Sequence, residues 1–118
     1  MTKEVKLKWY AFGQNNSGGY CIEDEMVAEW IFVQAPSAKT AVMLAEEITK
    51  ESSYDWCECC GERWYIYARE SDGYDFPTMF GRVVTEEVGY REGLPAILHY
   101  FSGKVQKIAI GKEFTLYD

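Results

Sequence analysis

The residues with the clearest capacity for chemistry are cysteines, because three of the chain's four cysteines lie between positions 57 and 60. Cys57 and Cys60 have the C-x-x-C spacing, followed by a glycine, of a zinc knuckle, in which a tight turn directs two thiolates at one metal ion. The chain has no second C-x-x-C pair to complete such a site. The other candidate ligands are Cys59, Cys21 and the only histidine, His99. Two interpretations therefore stay open, a zinc site and reduced thiols without a metal.

A second segment is suited to gripping a polar ligand. Amide and hydroxyl side chains supply neutral donors and acceptors, and glycines let backbone N–H groups approach a ligand closely. The segment consists of Gln14, Asn15, Asn16, Ser17, Gly18 and Gly19. We expect it to hold a nucleotide-like molecule, although it lacks the Lys-Ser/Thr ending of a P-loop and the dinucleotide fingerprint. The alternative is an ordinary polar connection between strands.

Aromatic residues beside a cation form the third candidate. We expect Arg63, with Trp56 and Trp64 nearby, to supply charge and stacking to a ligand. The face that carries Tyr65 and Tyr67 is suited to the same role or to anchoring a partner. The alternative is that these rings fill the core. No serine elbow, H-E-x-x-H or EF-hand pattern is present, so we do not expect an enzyme.

The elements that must position these residues can be read from hydrophobic periodicity. Alternation at 5–12 predicts a half-buried strand that stops at Gly13. Residues 27–33 are apolar on both faces apart from Glu29, which predicts a central strand. Small apolar residues then recur at three- and four-residue steps, which predicts a helix over about 37–51 with Ser37 as its N-cap.

The remainder of the chain predicts more strands. Alternation indicates a third strand at 63–69, and 80–88 is expected to be a fourth. Two further strands flank Ser102-Gly103, a two-residue hairpin that would place His99 opposite Gln106. This order predicts one α+β domain over 1–118, a mostly antiparallel sheet of five to six strands with one principal helix packed on one face.

Composition limits the classes of function. A net charge of −7 and a pI near 4.7 argue against general nucleic-acid binding and against anionic membranes. No apolar run approaches the roughly 18 residues of a membrane span, and the first residues contain no apolar signal core. We therefore expect a cytoplasmic protein.

Two segments, WYAFGQNNSGG at 9–19 and CECCGERW at 57–64, resemble a family of small, uncharacterised proteins of tailed bacteriophages. With the strand and helix between them they cover roughly the first 70 residues, and Tyr20 matches an aromatic residue that follows the glycine pair in that family. No function comes with the family. The resemblance implies a phage protein that acts in the host cytoplasm by binding rather than by catalysis.

Two hypotheses follow. The first is a phage-encoded counter-defence protein that sequesters a nucleotide-like signal between the polar loop and Arg63, with a homo-oligomer placing the pocket at a dimer seam. The second is a protein-interaction module, stabilised by zinc in one version, that blocks a host protein through an acidic and aromatic surface. A concave pocket near Arg63 would favour the first, and a flat or convex aromatic patch would favour the second.

Overall fold

The computed structural model describes residues 6–14, 23–50, 64–86, 89 and 92–117. Its main sheet has the strand order β3-β1-β2-β6-β7, and a separate two-stranded sheet pairs β4 with β5. The strands are β1 (Lys8–Gln14), β2 (Trp30–Ala35), β3 (Trp64–Tyr65), β4 (Thr78–Met79), β5 (Arg82–Val83), β6 (Pro95–His99) and β7 (Val105–Ala109), and the helix is α1 (Ala38–Thr49). Only the β2–β6 pair of the main sheet is parallel. The α+β prediction, with a mostly antiparallel sheet of five strands and one main helix, is confirmed.

β2 is the central strand, as its two apolar faces predict. Its odd-numbered side chains, such as Ile31 and Val33, pack toward the helix, whereas Phe32 packs into a second core on the opposite face. The strand begins at Trp30 rather than at position 27. Two apolar cores therefore lie on opposite faces of the sheet.

α1 begins at the predicted N-cap. Ser37 Oγ accepts the backbone N–H of Thr40 at 3.1 Å, which satisfies one of the donors that the first turn leaves without a helical partner. Ala38, Ala41 and Ala45 are buried against the sheet, and these small residues permit close approach. None of the helices in the described residues is long and apolar enough to cross a membrane.

The second face of the sheet is covered from two directions. The β4–β5 hairpin contributes Met79, and Val84 follows it into the same core. Phe114 and Leu116, from the residues after β7, pack against the other half of that face. The candidate site lies on this face, where Ala11 of β1 and Trp30 of β2 border the β4–β5 hairpin.

The strand predicted at 80–88 is confirmed only at Arg82–Val83, and residues 87 and 88 lie outside the described residues. Phe80 and Gly81 have φ angles of 53° and 75° and connect β4 to β5 as the two residues of a tight hairpin. Two successive positive φ angles reverse the chain in the geometry of a type I′ turn. Residues Val84–Glu86 then form a 3-10 turn. The segment therefore has the composition of a strand, but its first two residues, Phe80 and Gly81, form a turn that reverses the chain.

The hairpin between β6 and β7 differs from its prediction by one residue. Tyr100 and Lys104 close a three-residue loop in which Gly103 has a φ of 100°. That conformation adds a bulge and shifts the register, so His99 lies opposite Val105 instead of Gln106. A shift of one residue moves every side chain of a strand to the other face. Gln106 therefore belongs to the second core.

The first and third strands also differ at their ends. β1 starts at Lys8 and continues through Gly13 to Gln14, because Gly13 pairs with both Trp30 and Tyr65. The third strand is paired only over Trp64–Tyr65, although alternate exposure continues beyond it to position 69.

Candidate functional site

Most residues predicted to bind a ligand or metal lie outside the described residues. These are Asn15, Asn16, Ser17, Gly18, Gly19, Trp56, Cys57, Cys59, Cys60 and Arg63. Gln14 is buried, and its side-chain Nε2 donates to the carbonyl of Ala28 at 2.7 Å. Trp64 is buried in the core beneath α1. The side chains of Gln14 and Trp64 are therefore buried parts of the fold.

His99 is buried beside an apolar pocket of about 200 Å³ between α1 and the β6–β7 hairpin. Its Nε2 lies 2.6 Å from the carbonyl oxygen of Met26. Because a carbonyl oxygen only accepts, Nε2 carries the proton of this hydrogen bond. Burial lowers the pKa of His99, while the bond to Met26 opposes that effect. No cluster of three metal-ligating side chains exists within the described part of the chain.

A different site is built on the second face of the sheet. An open pocket of about 230 Å³ lies between β1, β2, the β4–β5 hairpin and the segment that follows β3. Its aromatic lining residues are Trp30, Tyr67, Tyr74 and Phe80, the sheet contributes Ala11, and Asp72 supplies a carboxylate. We call this site the aromatic pocket. None of its described lining residues is a lysine, an arginine or a histidine.

The position of Trp30 depends on a glycine in the neighbouring strand. Gly13 is the cross-strand partner of Trp30, and a Cβ atom on Gly13 would lie only 3.1–3.3 Å from the indole ring. The indole therefore covers the backbone of β1 directly. Phe80 meets Trp30 edge to face, with ring centroids 5.3 Å apart and planes at 79°. Two aromatic surfaces at nearly a right angle thus form one corner of the pocket.

Phe80 is held in an unusual backbone conformation. Its φ of 53° makes it the only non-glycine residue with positive φ in the described chain. Such a conformation costs an ordinary L-residue about 1–2 kcal/mol, and the first position of a type I′ turn favours Asn, Asp or Gly. Nevertheless 67% of the Phe80 side chain is exposed. Strain of this kind is concentrated at functional sites.

The opposite wall belongs to a segment anchored to the helix. Glu70 Oε1 accepts the N–H of Ala38 at 2.8 Å, at the start of α1, and its Oε2 lies 3.4 Å from the hydroxyl of Tyr10. Burial and the Glu70 carboxylate raise the pKa of Tyr10, so its hydroxyl remains a donor. Gly73 packs on the Tyr10 ring, where a Cβ would approach to 2.7 Å.

Tyr74 is fixed by the sheet itself. It forms an antiparallel bridge with Trp9, with N···O distances of 2.7 Å and 3.1 Å in the two directions. The backbone between Tyr67 and Tyr74 is thus held at Glu70, Gly73 and Tyr74. Tyr67 and Tyr74 therefore line the aromatic pocket from a segment whose backbone is held in place.

Asp72 is the charged residue among the described lining residues of the aromatic pocket. Its Oδ2 accepts the backbone N–H of Arg69 at 2.8 Å and lies 3.6 Å from Arg69 Nε. Both side chains of this ion pair are substantially exposed, so it contributes little to stability. No described residue donates a hydrogen bond to Oδ1. Aromatic rings with an accessible carboxylate are a chemical combination that attracts cations and repels phosphates.

The sequence predicts that Tyr65 and Tyr67 share a face, and Tyr67 lines the aromatic pocket. Trp30 and Phe80 lie in segments that the sequence predicts to be strands, and Tyr74 is not among the predicted site residues. The feature that marks Trp30 as a site residue is its pairing with Gly13. This pairing is known only once the register of β1 and β2 is known.

Comparison with known proteins gives one family. The family model for a domain of unknown function, DUF7296, matches residues 7–117. Neither the curated proteins nor the solved structures contain a match.

Proposed function

We propose that this chain, which belongs to the DUF7296 family, is a non-catalytic binding protein that docks a partner protein at the aromatic pocket. The observation that carries this proposal is the exposure of its rings: 68% for Tyr67, 67% for Phe80 and 40% for Tyr74. Tyr65, in the short strand β3 that pairs with β1, is 61% exposed. Soluble proteins seldom expose large apolar groups in one contiguous patch unless the patch binds something.

The chemistry of the patch supports a protein as the partner. Aromatic residues dominate the buried centres of protein interfaces because they supply a large contact area at a low cost in side-chain entropy. The net charge of −7 favours a partner with a basic surface, since complementary charge accelerates encounter. The resemblance to tailed-phage proteins makes a host protein the expected partner, whose functional surface this chain would block.

The nucleotide-binding hypothesis depends on residues outside the described ranges, apart from Gln14 and Trp64. It stays a prediction. The aromatic pocket does not favour a nucleotide, because the charged residue among its described lining residues is an acid and a nucleotide phosphate is an anion.

The test compares variants in the capture of a bacterial host protein, followed by calorimetric titration with the purified candidate. Tyr67→Ala combined with Phe80→Asn should remove binding, because both rings would lie in the interface. The matched control is Met43→Ser, which removes an equally exposed apolar side chain (61%) from α1, on the opposite side of the sheet. This control should bind like the wild type.

Two results would overturn the proposal. One is equal binding by the Tyr67→Ala/Phe80→Asn protein and the wild type, which would place the interface elsewhere. The other is tight binding of a cyclic oligonucleotide or an ADP-ribose derivative that is lost in Asn15→Ala/Asn16→Ala. That outcome would restore the nucleotide-sequestering function.

A further inference from the structure

Resting on the proposed function, we infer that the aromatic pocket receives an arginine side chain of the partner protein. The aromatic pocket combines ring surfaces with a carboxylate. Trp30 and Phe80 meet at 79°, and Tyr67, Tyr74 and Asp72 line the same cavity. A cation above an aromatic face is attracted by the ring quadrupole, most strongly for tryptophan. The carboxylate adds a charged acceptor to that attraction.

The shape and donors of its guanidinium group make arginine a better fit for the aromatic pocket than other cations. A guanidinium is planar, stacks on aromatic rings, loses less hydration than an ammonium and donates N–H groups in a fixed fork. The pocket offers both kinds of partner, since Asp72 Oδ1 accepts no hydrogen bond from any residue that the structure describes, whereas Oδ2 is bonded to the Arg69 backbone. A quaternary ammonium has no N–H to donate and would leave Oδ1 unused.

Arg69 of this chain could compete for the Asp72 carboxylate. Arg69 lies outside the lining of the aromatic pocket and approaches Asp72 through Nε at 3.6 Å, with 68% of its side chain exposed. An exposed pair at this distance is weak and is screened by salt. Within the described part of the chain, an incoming arginine can therefore share the carboxylate without having to break a buried ion pair. The negative net charge of the whole chain favours its approach.

The experiment uses the full chain and three matched peptides, acetyl-Gly-Arg-Gly-amide and its lysine and citrulline counterparts. Citrulline keeps the shape and most donors of arginine but has no charge. In an NMR titration that follows the indole N–H of Trp30 and the amide of Gly81, the arginine peptide should give saturable shifts. The lysine peptide should bind several-fold more weakly than the arginine peptide. The affinity of the citrulline peptide should be lower by a factor of about ten or more, because its side chain has no charge.

A pair of variants separates local from general electrostatics. Asp72→Asn keeps an acceptor for the Arg69 N–H and should weaken arginine binding about tenfold, the loss expected for a charge-assisted contact. Glu46→Gln removes the same charge from the exposed side of α1 and should leave affinity unchanged. Equal binding of arginine and citrulline, equal effects of the two variants, or shifts confined to other parts of the chain would each overturn the inference.

The outcomes for the arginine inference and for the proposed function are distinguishable. If a partner is captured through Tyr67 and Phe80 but the arginine peptide produces no shifts, the docking surface stands and its cationic ligand is wrong. If the peptide binds as expected but no captured protein depends on those rings, the pocket is a guanidinium site and the proposed docking function fails.

Discussion

The two halves of the second sheet face use aromatic residues in opposite ways. On the β6–β7 half, Tyr100 is only 9% exposed and stacks against Tyr117, with centroids 5.4 Å apart and planes at 9°. Its hydroxyl donates to Gln106 Oε1 at 2.6 Å and accepts the N–H of Tyr117 at 2.8 Å. On the β1–β3 half, Tyr67 and Phe80 are exposed around the aromatic pocket.

The difference shows when an aromatic residue stabilises the fold and when it is available to a ligand. Tyr100 has its ring and its hydroxyl satisfied inside the chain, and burial raises the pKa of that hydroxyl. The C-terminal residues complete its surroundings, because Gln106 Nε2 donates to the carbonyl of Thr115 at 3.0 Å. The aromatic pocket has an equally fixed framework but lacks such a covering segment in the described structure. Composition alone does not separate the two cases.

The largest expected effect tests the covered half. Tyr100→Ala should lower the free energy of unfolding by about 3–5 kcal/mol, because it removes a buried ring and leaves Gln106 Oε1 without the hydroxyl that donates to it. Tyr67→Ala should change the same quantity by no more than about 0.5 kcal/mol, as an exposed substitution does. Urea denaturation monitored by circular dichroism measures both. Similar losses for the two variants would show that the halves do not differ in role.

A smaller effect tests the support beneath the open half. Gly73→Ala would place a Cβ 2.7 Å from the Tyr10 ring and 3.0 Å from Lys8 Cβ. Since Tyr10 is 1% exposed and has no room to move, the free energy of unfolding should fall by about 1–3 kcal/mol, the usual cost of overpacking. The neighbouring Asp72 and Tyr74 should shift, so partner binding should weaken as well.

Ser71→Ala is the control for that variant, because Ser71 is exposed in the same segment. It should leave stability and binding unchanged. If Gly73→Ala is as stable as Ser71→Ala, the contact between the 70–74 segment and Tyr10 does not fix the pocket wall.

The sequence was sufficient for elements with strong local signals. The Ser37 cap and the alanine spacing located α1 because both effects operate within one helix turn. The two apolar faces of β2 indicated its central place, because a strand that is buried on both sides has apolar residues at nearly every position. The two hairpin turns were harder to predict. Phe80-Gly81 has the glycine of an Asn-Gly turn but not the asparagine, and Gly103 belongs to a three-residue loop rather than to a two-residue one.

The site was harder to predict than the fold. The aromatic pocket joins residues from β1, β2, the β4–β5 hairpin and the 67–74 segment, and these meet only through tertiary structure. Periodicity placed Tyr65 and Tyr67 on one face but gave no indication that Trp30 would share it. The polar loop and the cysteine cluster, which had the most recognisable local patterns, lie almost wholly outside the described residues.

The smallest expected change in stability gives the sharpest test of the comparison. Phe80→Asn places the residue preferred by a type I′ turn at a φ of 53° and relieves a backbone cost of about 1–2 kcal/mol. It also removes the edge contact with Trp30, worth about 0.5–1.5 kcal/mol. Because these effects oppose each other, the free energy of unfolding should stay within about 1 kcal/mol of the wild-type value. Binding of the partner and of the arginine peptide should nevertheless be lost, whereas Phe80→Tyr should retain it. A Phe80→Asn protein as unstable as Tyr100→Ala would show that Phe80 is a core residue and that its strain serves folding instead of recognition.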